Sequence, residues 1–567
     1  MLAEQLKAAL QPLIQTGSDW EVSLQKIRGQ EYRIFTNHPQ HLRAYFEKYT
    51  QLFGDQTFMV YDGQSYNFSQ TWQMASALGH QLKNRYNISK GDRVAVSMRN
   101  YPEWVLAYMA TVSIGAVVVP MNSWWVQREM RYGLTDSSSK LLICDEERYL
   151  RIQPDLAELK LDCIGVRMSK AYDQVQDIAA LIEQAQGEPM PDVHIDPEDD
   201  ASIMYTSGTT GFPKGALATH RSVTSAIQSL VFVAVSGAFL TQADPADAEQ
   251  QQAILLTVPL FHVTGCLAIM LACFCVGRKM VMMYKWDALE ALKLIESEKI
   301  TAFTGVPTMV WEMMKHPDFE QFDVSTLGTV GGGGAPAPVT QVREVAEKFP
   351  GGQPGIGYGL TETNAITSIN SGDFYLAKPK SCGLPAYLGD VKIIDPEGQS
   401  LPHNQEGEVC IRGPFVIKAY WNKPEATAES IQDGWFRSGD IGYLDEDGFL
   451  YISDRAKDMI LRGGENVYCA EVESAIYEHP ATFEASVFGV PDDRLGEKVA
   501  VAIMAKQGSQ INEEELRAFL KEQLAHFKVP EFIFQYQEQL PRNASGKILR
   551  RELRTRAISD LGLKESS

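Results

Sequence analysis

Short runs of apolar and β-branched residues alternate with longer helical patterns over the first two-thirds of the chain. "DRVAVSM" is followed by "YPEWVLAYMATVSIGAVVVPM", and "KLLICD" and "ITAFTGV" are further strand-like segments. This alternation is typical of α/β layers around largely buried sheets. Because 567 residues are too many for one hydrophobic core, we expect two or more domains.

The pattern changes near Gly383, where short strands are separated by turn sequences. The Pro-Glu-Gly and Asp-Gly turns in "DVKIIDPEGQ" and "DGWFRSGDIGYLDEDGFLYISDR" predict a β-meander or a small barrel. After Arg455 a compact α/β pattern returns, with strand-like "ASVFGV" and "KVAVAIMA" and a helical "NEEELRAFLKEQLA". Roughly the last hundred residues are therefore predicted to form a separate lobe.

Charge and cysteine usage exclude some classes of function. The chain has 52 Lys and Arg residues against 72 Asp and Glu, a formal net charge of −20. Such a charge argues against nucleic acid or an anionic membrane surface as the main partner. The 8 cysteines are scattered, form no C-x-x-C pair and mostly lie in apolar runs. They indicate reduced, buried thiols of a cytoplasmic protein rather than disulfides or zinc ligands.

No stretch of the sequence predicts a transmembrane segment. "MLAEQLKAALQPLIQ" has an apolar helical face but no basic n-region, so it does not read as a secretory signal. The longest apolar stretch, from Ile254 to Met283, is interrupted by Pro259 and Arg278 among others, and its unbroken part is shorter than the ~20 residues of a span. Peripheral membrane contact stays open, and the sequence carries no signal for the oligomeric state.

The segment "YTSGTTGFPKGA", from Tyr205 to Ala216, has the composition of an anion-binding loop. Glycines permit backbone N–H groups to converge on one point, hydroxyls add donors, and Lys214 adds a positive charge. It differs from the ordinary nucleotide P-loop, because Gly215 follows the lysine where that motif has Ser or Thr. Taken alone, the segment is explained almost as well by a flexible surface loop.

Four further stretches carry residues suited to a nucleotide: "GGGGAPAP" (331–338), "GYGLTET" (357–363), "FRSGDIGYLDEDGFLYISDRAKDMILRGGENV" (436–467) and "LPRNASGKILRREL" (540–553). Tyr358 suits base stacking, Glu362 suits Mg²⁺ and Asp440 suits ribose hydroxyls. Each stretch alone has an ordinary explanation as a linker, surface turn or hairpin. For Arg550 and Arg551 a solvated basic surface is the favoured interpretation.

Together, in this order, the five stretches resemble the adenylate-forming superfamily, which includes acyl-CoA synthetases, peptide-synthetase adenylation domains and beetle luciferases. The resemblance covers about Leu52 to Leu553. It implies a large N-terminal domain of layered α/β subdomains plus a β-barrel, with a small mobile α+β C-terminal lobe. The implied division is an AMP-binding domain over 41–455 and the mobile lobe over 456–567, with a hinge near Lys457. Residues 1–40 lie outside the resemblance and are predicted to be an added helical extension.

The resemblance also implies a reaction in two halves. A small-molecule carboxylic acid attacks the α-phosphorus of ATP, with Mg²⁺, to give an acyl-adenylate and pyrophosphate. A thiol, usually that of coenzyme A, then displaces AMP. Two anions meet in the first half, so positive charge and preorganised donors are needed to offset their repulsion.

Site residues follow from the same resemblance. Thr206 and Glu362 would hold Mg²⁺, Lys547 would bridge the carboxylate and the α-phosphate, and Lys457 would be the hinge. The remaining nucleotide and CoA contacts would be the phosphate loop (Thr206, Ser207, Gly208, Thr209, Thr210, Gly211, Lys214), the adenine and phosphate residues (Gly333, Gly334, Ala335, Tyr358, Gly359, Thr361), the ribose pair (Asp440, Arg455) and the pantetheine tunnel (Gly463, Gly464).

"PLFHVTG", from Pro259 to Gly265, resembles the segment that lines the acyl pocket, where His262 would border the carboxylate and gate the thiol. A core histidine is the ordinary alternative. Relatives that activate amino acids commonly have an aspartate here, so Phe261-His262 argues against an α-amino acid. The apolar "CLAIMLACFCVG" that follows matches an apolar tail. "GVPTMVWEMM" (305–314) would add a second wall, although plain core explains it too.

The sequence therefore favours a fatty acyl-CoA synthetase for medium or long chains. An aryl-CoA ligase, or an enzyme that loads an acyl group onto a carrier protein, is the alternative. Luciferase-like oxidation is less favoured only because it is rarer. A catalytically inactive ligand sensor is disfavoured because the ionic residues Lys214, Glu362, Asp440, Arg455 and Lys547 are all retained.

Overall fold

The first forty residues combine helices with a β-hairpin. The computed structural model describes residues 2–206, 213–242, 250–333, 339–349, 351–455, 458–462, 465–492, 494–543 and 546–563. It has α1 (Leu2–Ala9), α2 (Gln11–Ile14), β1 (Val22–Ile27) and β2 (Gln30–Phe35). The predicted helical extension is thus helical only in its first part. Arg28 and Gly29 have φ of 50° and 84°, which suits the two-residue turn that joins paired strands.

Strands and helices alternate from Leu42 to Thr241, as predicted. The elements are α3 (Leu42–Phe53), β3 (Thr57–Tyr61), β4 (Gln64–Asn67), α4 (Phe68–Asn84), β5 (Arg93–Ser97), α5 (Pro102–Ser113), β6 (Val117–Pro120), α6 (Gln127–Ser137), β7 (Leu141–Asp145), α7 (Glu146–Leu159), β8 (Asp162–Val166), β9 (Val175–Asp177), α8 (Ile178–Gln184), β10 (Asp200–Tyr205), β11 (Gly215–Thr219) and α9 (His220–Thr241). Polar side chains cap several of these helices, for example Asn67 on α4 and Asp145 on α7.

The alternation continues to Pro385. The elements are β12 (Ala253–Leu256), a π-helix (Thr264–Leu271), α10 (Ala272–Cys275), β13 (Lys279–Met282), α11 (Ala288–Glu298), β14 (Ala302–Gly305), α12 (Pro307–Met314), a 3₁₀ turn (Phe319–Gln321), β15 (Thr329–Gly333), α13 (Val339–Lys348), β16 (Gln353–Tyr358), a 3₁₀ turn (Thr361–Thr363), β17 (Ser368–Ser371), α14 (Gly372–Ala377) and β18 (Leu384–Pro385). The interrupted apolar stretch near residue 260 is therefore strand, loop, buried helix and strand.

The remaining chain forms two smaller sheets and adds one strand, β21 (Ala419–Tyr420), to a larger sheet. Its elements are β19 (Asp390–Ile394), β20 (Gly407–Arg412), β21 (Ala419–Tyr420), α15 (Pro424–Ser430), β22 (Ile431–Gln432), β23 (Trp435–Leu444), β24 (Leu450–Arg455), β25 (Ile460–Arg462), β26 (Glu465–Val467), α16 (Cys469–Tyr477), β27 (Thr482–Asp492), β28 (Gly496–Ala505), α17 (Glu513–Lys521), a 3₁₀ turn (His526–Lys528), β29 (Phe532–Tyr536) and α18 (Arg550–Asp560).

Two large sheets form the body of the protein. One has the order β21-β11-β10-β6-β5-β7-β8-β9, and the other β18-β17-β16-β15-β14-β12-β13-β3-β4. Central pairs such as β5/β6 and β12/β14 are parallel, as expected for strands joined through helices. Helix α5 is buried at every position except Glu103, and it shares one apolar core with strands of both sheets. The predicted layered α/β architecture is confirmed.

The predicted β-barrel is an open sheet. Among the described residues, β19, β20, β23 and β22 pair in that order and β24 pairs with β23, without a pair that closes the ring. Closure requires the first and last strands to meet, and β22 has only two residues. The C-terminal lobe has a five-stranded sheet, β26-β25-β28-β27 with β29 on β28. Residues of α16 and α17 pack in one of its apolar clusters, and residues of α18 in another.

Helix α9 is long and apolar enough to cross a membrane, by length and composition alone. It has 22 residues, and half of its most apolar window is buried inside the protein. A core helix meets the same two criteria. No other helix in the described ranges meets them.

Candidate active site

The phosphate loop joins two paired strands. Tyr205 of β10 lies opposite Gly215 of β11, and the Thr206 backbone N–H donates to the Lys214 carbonyl at 2.9 Å. The loop is thus held shut at its base, and a strand precedes the helix that the sequence suggested. Ser207, Gly208, Thr209, Thr210 and Gly211 lie outside the described residues.

Tyr420 links the lysine of this loop to the predicted magnesium ligand. The Lys214 ammonium lies 5.1 Å from the centre of the Tyr420 ring. The Tyr420 hydroxyl donates to Glu362 Oε1 at 2.7 Å. The sequence interpretation missed Tyr420, since "KAYW" has no glycine or charge pattern, and only the pairing of β21 with β11 places it here.

Glu362 lies in the 3₁₀ turn after Leu360. Burial raises the pKa of Glu362, while the Tyr420 hydrogen bond and the nearby Arg455 charge act in the opposite direction. Magnesium in nucleotide enzymes takes one or two carboxylates, with phosphate and water oxygens completing the shell. Within the described ranges no group of three or more His, Cys, Asp or Glu residues is arranged so that it could hold a metal ion. One carboxylate and one hydroxyl therefore fit Mg²⁺ that arrives with a polyphosphate, and not a metal held by protein alone.

Tyr358, Asp440 and Arg455 form a connected group. The Tyr358 hydroxyl donates to Asp440 Oδ2 at 2.6 Å, and Arg455 Nε lies 3.2 Å from Asp440 Oδ1. Asp440 and Arg455 are opposite each other in the β23/β24 pair. Burial raises the pKa of Asp440, and the Arg455 charge opposes this shift. Three residues from two separate motifs thus meet in one place.

A surface of bare backbone lies beside Tyr358. Gly331 to Gly333 of β15 pair with Gly355 to Gly357 of β16. A Cβ atom added to Gly331 would lie 2.7 Å from the Gly355 carbonyl oxygen, so the strands pack without side chains there. Gly359 packs directly on the Ala365 carbonyl. Such a surface suits a flat ring, while Gly334 and Ala335 lie outside the described residues.

Lys547 of the C-terminal lobe comes to this group. Gly546, with φ of 81°, precedes it, and a Cβ there would lie 3.0 Å from the Val306 side chain of the large domain. Lys547 keeps some exposure to solvent. Its pKa is nevertheless lowered to about 8, because the surrounding protein removes water from the ammonium group and the charges of Arg455 and Arg550 repel it. Asp440 acts in the opposite direction. Lys457, Gly463 and Gly464 lie outside the described residues.

Arg550 is not part of a solvated basic surface, contrary to expectation. It lies 2.9 Å from Asp458 and 2.8 Å from Glu473, and Asp454 is 3.7 Å away. Its side chain is 24% exposed and Glu473 only 14%. The arginine therefore neutralises a carboxylate cluster between the last strand of the large domain and the lobe.

His262 is a neutral, half-buried ring. Its pKa falls to about 4 because burial disfavours the imidazolium. The ring packs against Phe261, and the Thr264–Leu271 π-helix follows it. Within the described residues, His262 shares no hydrogen bond or ion pair with Lys547, Asp440 or Glu362.

The lowered pKa of Lys547 predicts a pH dependence. If the ammonium form is the working form, kcat/KM for adenylation falls by up to tenfold per pH unit above about 8, because the charge is then lost. ATP–pyrophosphate exchange at limiting acid concentration, from pH 6.5 to 10, measures this. Lys547→Arg stays charged over the whole range, so its residual activity should lack the alkaline decline. An identical decline in that variant would contradict the assignment.

The sequence model of the "AMP-binding enzyme" family matches residues 46–421, and that of the "AMP-binding enzyme C-terminal domain" matches residues 471–547. The chain belongs to the AMP-binding enzyme family. It is 35% identical over 531 residues to a long-chain-fatty-acid–CoA ligase of Bacillus subtilis (strain 168), covering 88% of this chain and 92% of the relative. It is 33% identical over 502 residues to a feruloyl-CoA synthase of Amycolatopsis sp., covering 88% and 96%.

The solved structure of o-succinylbenzoate CoA synthetase (MenE) from Bacillus subtilis, in complex with the acyl-adenylate intermediate OSB-AMP, has the same fold. Its TM-score is 0.74 at 30% identity, covering 90% of this chain and 97% of that one. The protein is therefore an acyl-CoA synthetase of the AMP-binding enzyme family. According to their names, its relatives act on long-chain fatty, feruloyl and o-succinylbenzoyl groups. The comparisons therefore do not decide which acid this protein activates.

Proposed function

We propose that this AMP-binding protein activates a medium- or long-chain fatty acid with ATP and transfers the acyl group to CoA. The observation that carries the choice of acid is the segment after His262. The π-helix and α10, "TGCLAIMLACFC", contain no charged side chain, and their buried residues include Leu267, Ile269 and Met270. These residues belong to the apolar core, so the surroundings after His262 suit an alkyl tail and offer no partner for an α-ammonium group.

In the proposed first half-reaction, a carboxylate oxygen attacks the α-phosphorus, the bond to the bridging oxygen breaks, and pyrophosphate leaves. Lys547 would hold the attacking oxygen and the α-phosphate together. Thr206 to Lys214 would receive the β- and γ-phosphates. Thr206 and Glu362 would hold Mg²⁺, whose charge would offset that of the phosphates. The cluster of Tyr358, Asp440 and Arg455 supports binding of the adenosine part.

In the proposed second half-reaction, the thiol of CoA attacks the acyl carbonyl and AMP leaves. Lys547 and the thiol need the same approach, so the lobe would rotate about Lys457 and bring Gly463 and Gly464 to the tunnel. Residues 41–455 would then be the fixed domain and 456–567 the moving lobe. We place the reaction in the cytoplasm, with peripheral membrane contact possible because fatty acids partition into bilayers.

A panel of acids from C2 to C18, with ferulate and benzoate as aromatic members, tests the proposal. We expect C8–C18 acids to support ATP–pyrophosphate exchange with kcat/KM about tenfold or more above the aromatic acids, since each methylene in an apolar pocket contributes to discrimination. AMP release should depend on CoA. A preference for ferulate would favour the alternative, an aryl-CoA ligase, which the feruloyl relative supports. AMP release that needs a carrier protein instead of CoA would favour a loading enzyme.

A further inference from the structure

The hairpin β1–β2 lies before the part of the chain that matches the family, which starts at residue 46. Its tip nevertheless reaches a segment of the site. The Arg28 guanidinium donates to the Ile417 carbonyl at 3.1 Å through Nη1 and to the Val416 carbonyl at 3.3 Å through Nη2. Arg28 Nε also lies 3.7 Å from Glu198. These two hydrogen bonds connect parts of the chain that are 389 and 388 positions apart in sequence.

The segment that Arg28 binds holds the predicted magnesium ligand on its other side. The Ile417 N–H donates to the Glu362 carbonyl at 2.9 Å, and Tyr420, three residues later, donates to the Glu362 carboxylate. The same segment pairs with the strand that follows the phosphate loop, since the Lys418 N–H donates to the Leu217 carbonyl at 2.8 Å. One short stretch thus touches the carboxylate side and the phosphate-loop side of the site.

Arg28 provides hydrogen-bond donors for two backbone carbonyl groups of buried residues, and burying such groups without a donor would destabilise the fold. Val416 and Ile417 are 3% and 1% exposed. Carbonyl groups of buried residues need hydrogen-bond partners, and a guanidinium presents two in a fixed plane. Removal of those donors would free the segment to shift, and its position sets where the Tyr420 hydroxyl and ring lie.

We propose that Arg28 is a positioning residue for MgATP: it fixes the 416–420 segment, and through Tyr420 the Glu362 carboxylate and the Lys214 ammonium. This assignment rests on the proposed roles of Glu362 and Lys214. It gives the N-terminal hairpin a function in nucleotide binding that acts through the 416–420 segment.

Arg33 of the same hairpin provides a matched control. It donates to the Gly389 carbonyl at 2.9 Å and to Asp390 at 2.7 Å. Its side chain is 29% exposed, against 28% for Arg28. Arg33 therefore anchors the hairpin by the same type of contact, but to a segment that does not carry Tyr420.

The test compares Arg28→Met and Arg33→Met in the full chain. We expect Arg28→Met to weaken MgATP binding about fivefold by calorimetry, the effect of losing the hydrogen bonds of one side chain, while KM for the acid stays within about twofold. Arg33→Met should leave MgATP binding within about twofold. In a Tyr420→Phe background, Arg28→Met should add clearly less than its effect in the wild-type protein, because the hydroxyl link to Glu362 is already broken while the ring beside Lys214 is kept.

Equal losses in the two arginine variants, or a full fivefold effect of Arg28→Met without the Tyr420 hydroxyl, would overturn the proposal. Thermal melting separates a positioning effect from unfolding, and Arg28→Lys serves if Arg28→Met does not fold, with an intermediate loss expected. Calorimetry reads nucleotide binding without turnover. Failure of the wild-type protein to adenylate any acid would therefore sink the proposed function, whereas an unchanged affinity in Arg28→Met would sink only this inference.

Discussion

Replacing Lys547 with alanine is expected to lower the rate of acyl-adenylate formation by about 10²–10³-fold, the typical loss when one preorganised donor to a developing charge is removed. Lys547 is near enough to Asp440, Arg455 and Arg550 for their charges to act on its pKa. Lys547 thus brings a positive charge from the lobe close to Asp440 and Arg455. Two anionic reactants would then meet without the charge that bridges them.

The measurement is ATP–pyrophosphate exchange, together with thioester formation from acyl-adenylate supplied directly. The second step should proceed within about tenfold of the wild-type rate, since Lys547 would be withdrawn before the thiol attacks. Lys506→Ala serves as the control, because that lysine donates to the Pro480 carbonyl at the surface of the same lobe. A loss below tenfold in exchange, or equal losses in both steps, would contradict the role given to Lys547.

Arg550→Met is expected to destabilise the C-terminal lobe by about 3 kcal/mol, since removal of one partner from a buried ionic cluster leaves uncompensated charge. Asp458 and Glu473 would lose contacts of 2.9 and 2.8 Å. Burial already raises the pKa of Glu473, and the Arg550 charge is the main opposing influence. Methionine keeps much of the side-chain length, so the change tests charge more than packing.

Hydrogen–deuterium exchange in peptides from β27 and β28 measures this loss locally, which matters because a multidomain chain does not unfold in one step. Their slowest amides should exchange about a hundredfold faster, the equivalent of the expected energy. Lys521→Met, at the exposed end of α17, should leave these rates unchanged. Unaltered exchange in Arg550→Met would show that the three carboxylates do not need the arginine charge for the lobe to stay stable.

The local motifs could name individual candidate residues, but not the contacts between distant segments that bring those residues together. Tyr358, Asp440 and Arg455 come from two motifs, and each could be named from the pattern around it. The contact between Tyr358 and Asp440 joins residues 82 positions apart, so it depends on the fold. Tyr420 could not be found this way, since its role depends on the register of β21 against β11.

Long-range contacts also decided the errors. Arg550 looked solvated because its carboxylate partners are 77 and 92 residues away. The turn sequences after Gly383 left a meander and a barrel open, because they show that strands follow one another but not whether the outer two meet. The barrel was implied by the resemblance, and the sheet is open. The helical prediction for residues 1–40 missed the first hairpin, although a local signal marks it: Arg28-Gly29 lies between the two halves of "EVSLQKIRGQEYRIF".

The antiparallel pair of Asp440 and Arg455 has a consequence for how the intermediate survives between the two half-reactions. Arg455 ends β24, and the lobe follows within a few residues. A swing that starts after that strand would leave Asp440 and its Tyr358 hydrogen bond in place. The acyl-adenylate would stay bound to the large domain through its adenosine part while the C-terminal lobe changes orientation. A species that water can hydrolyse would then not have to leave the site between the two half-reactions.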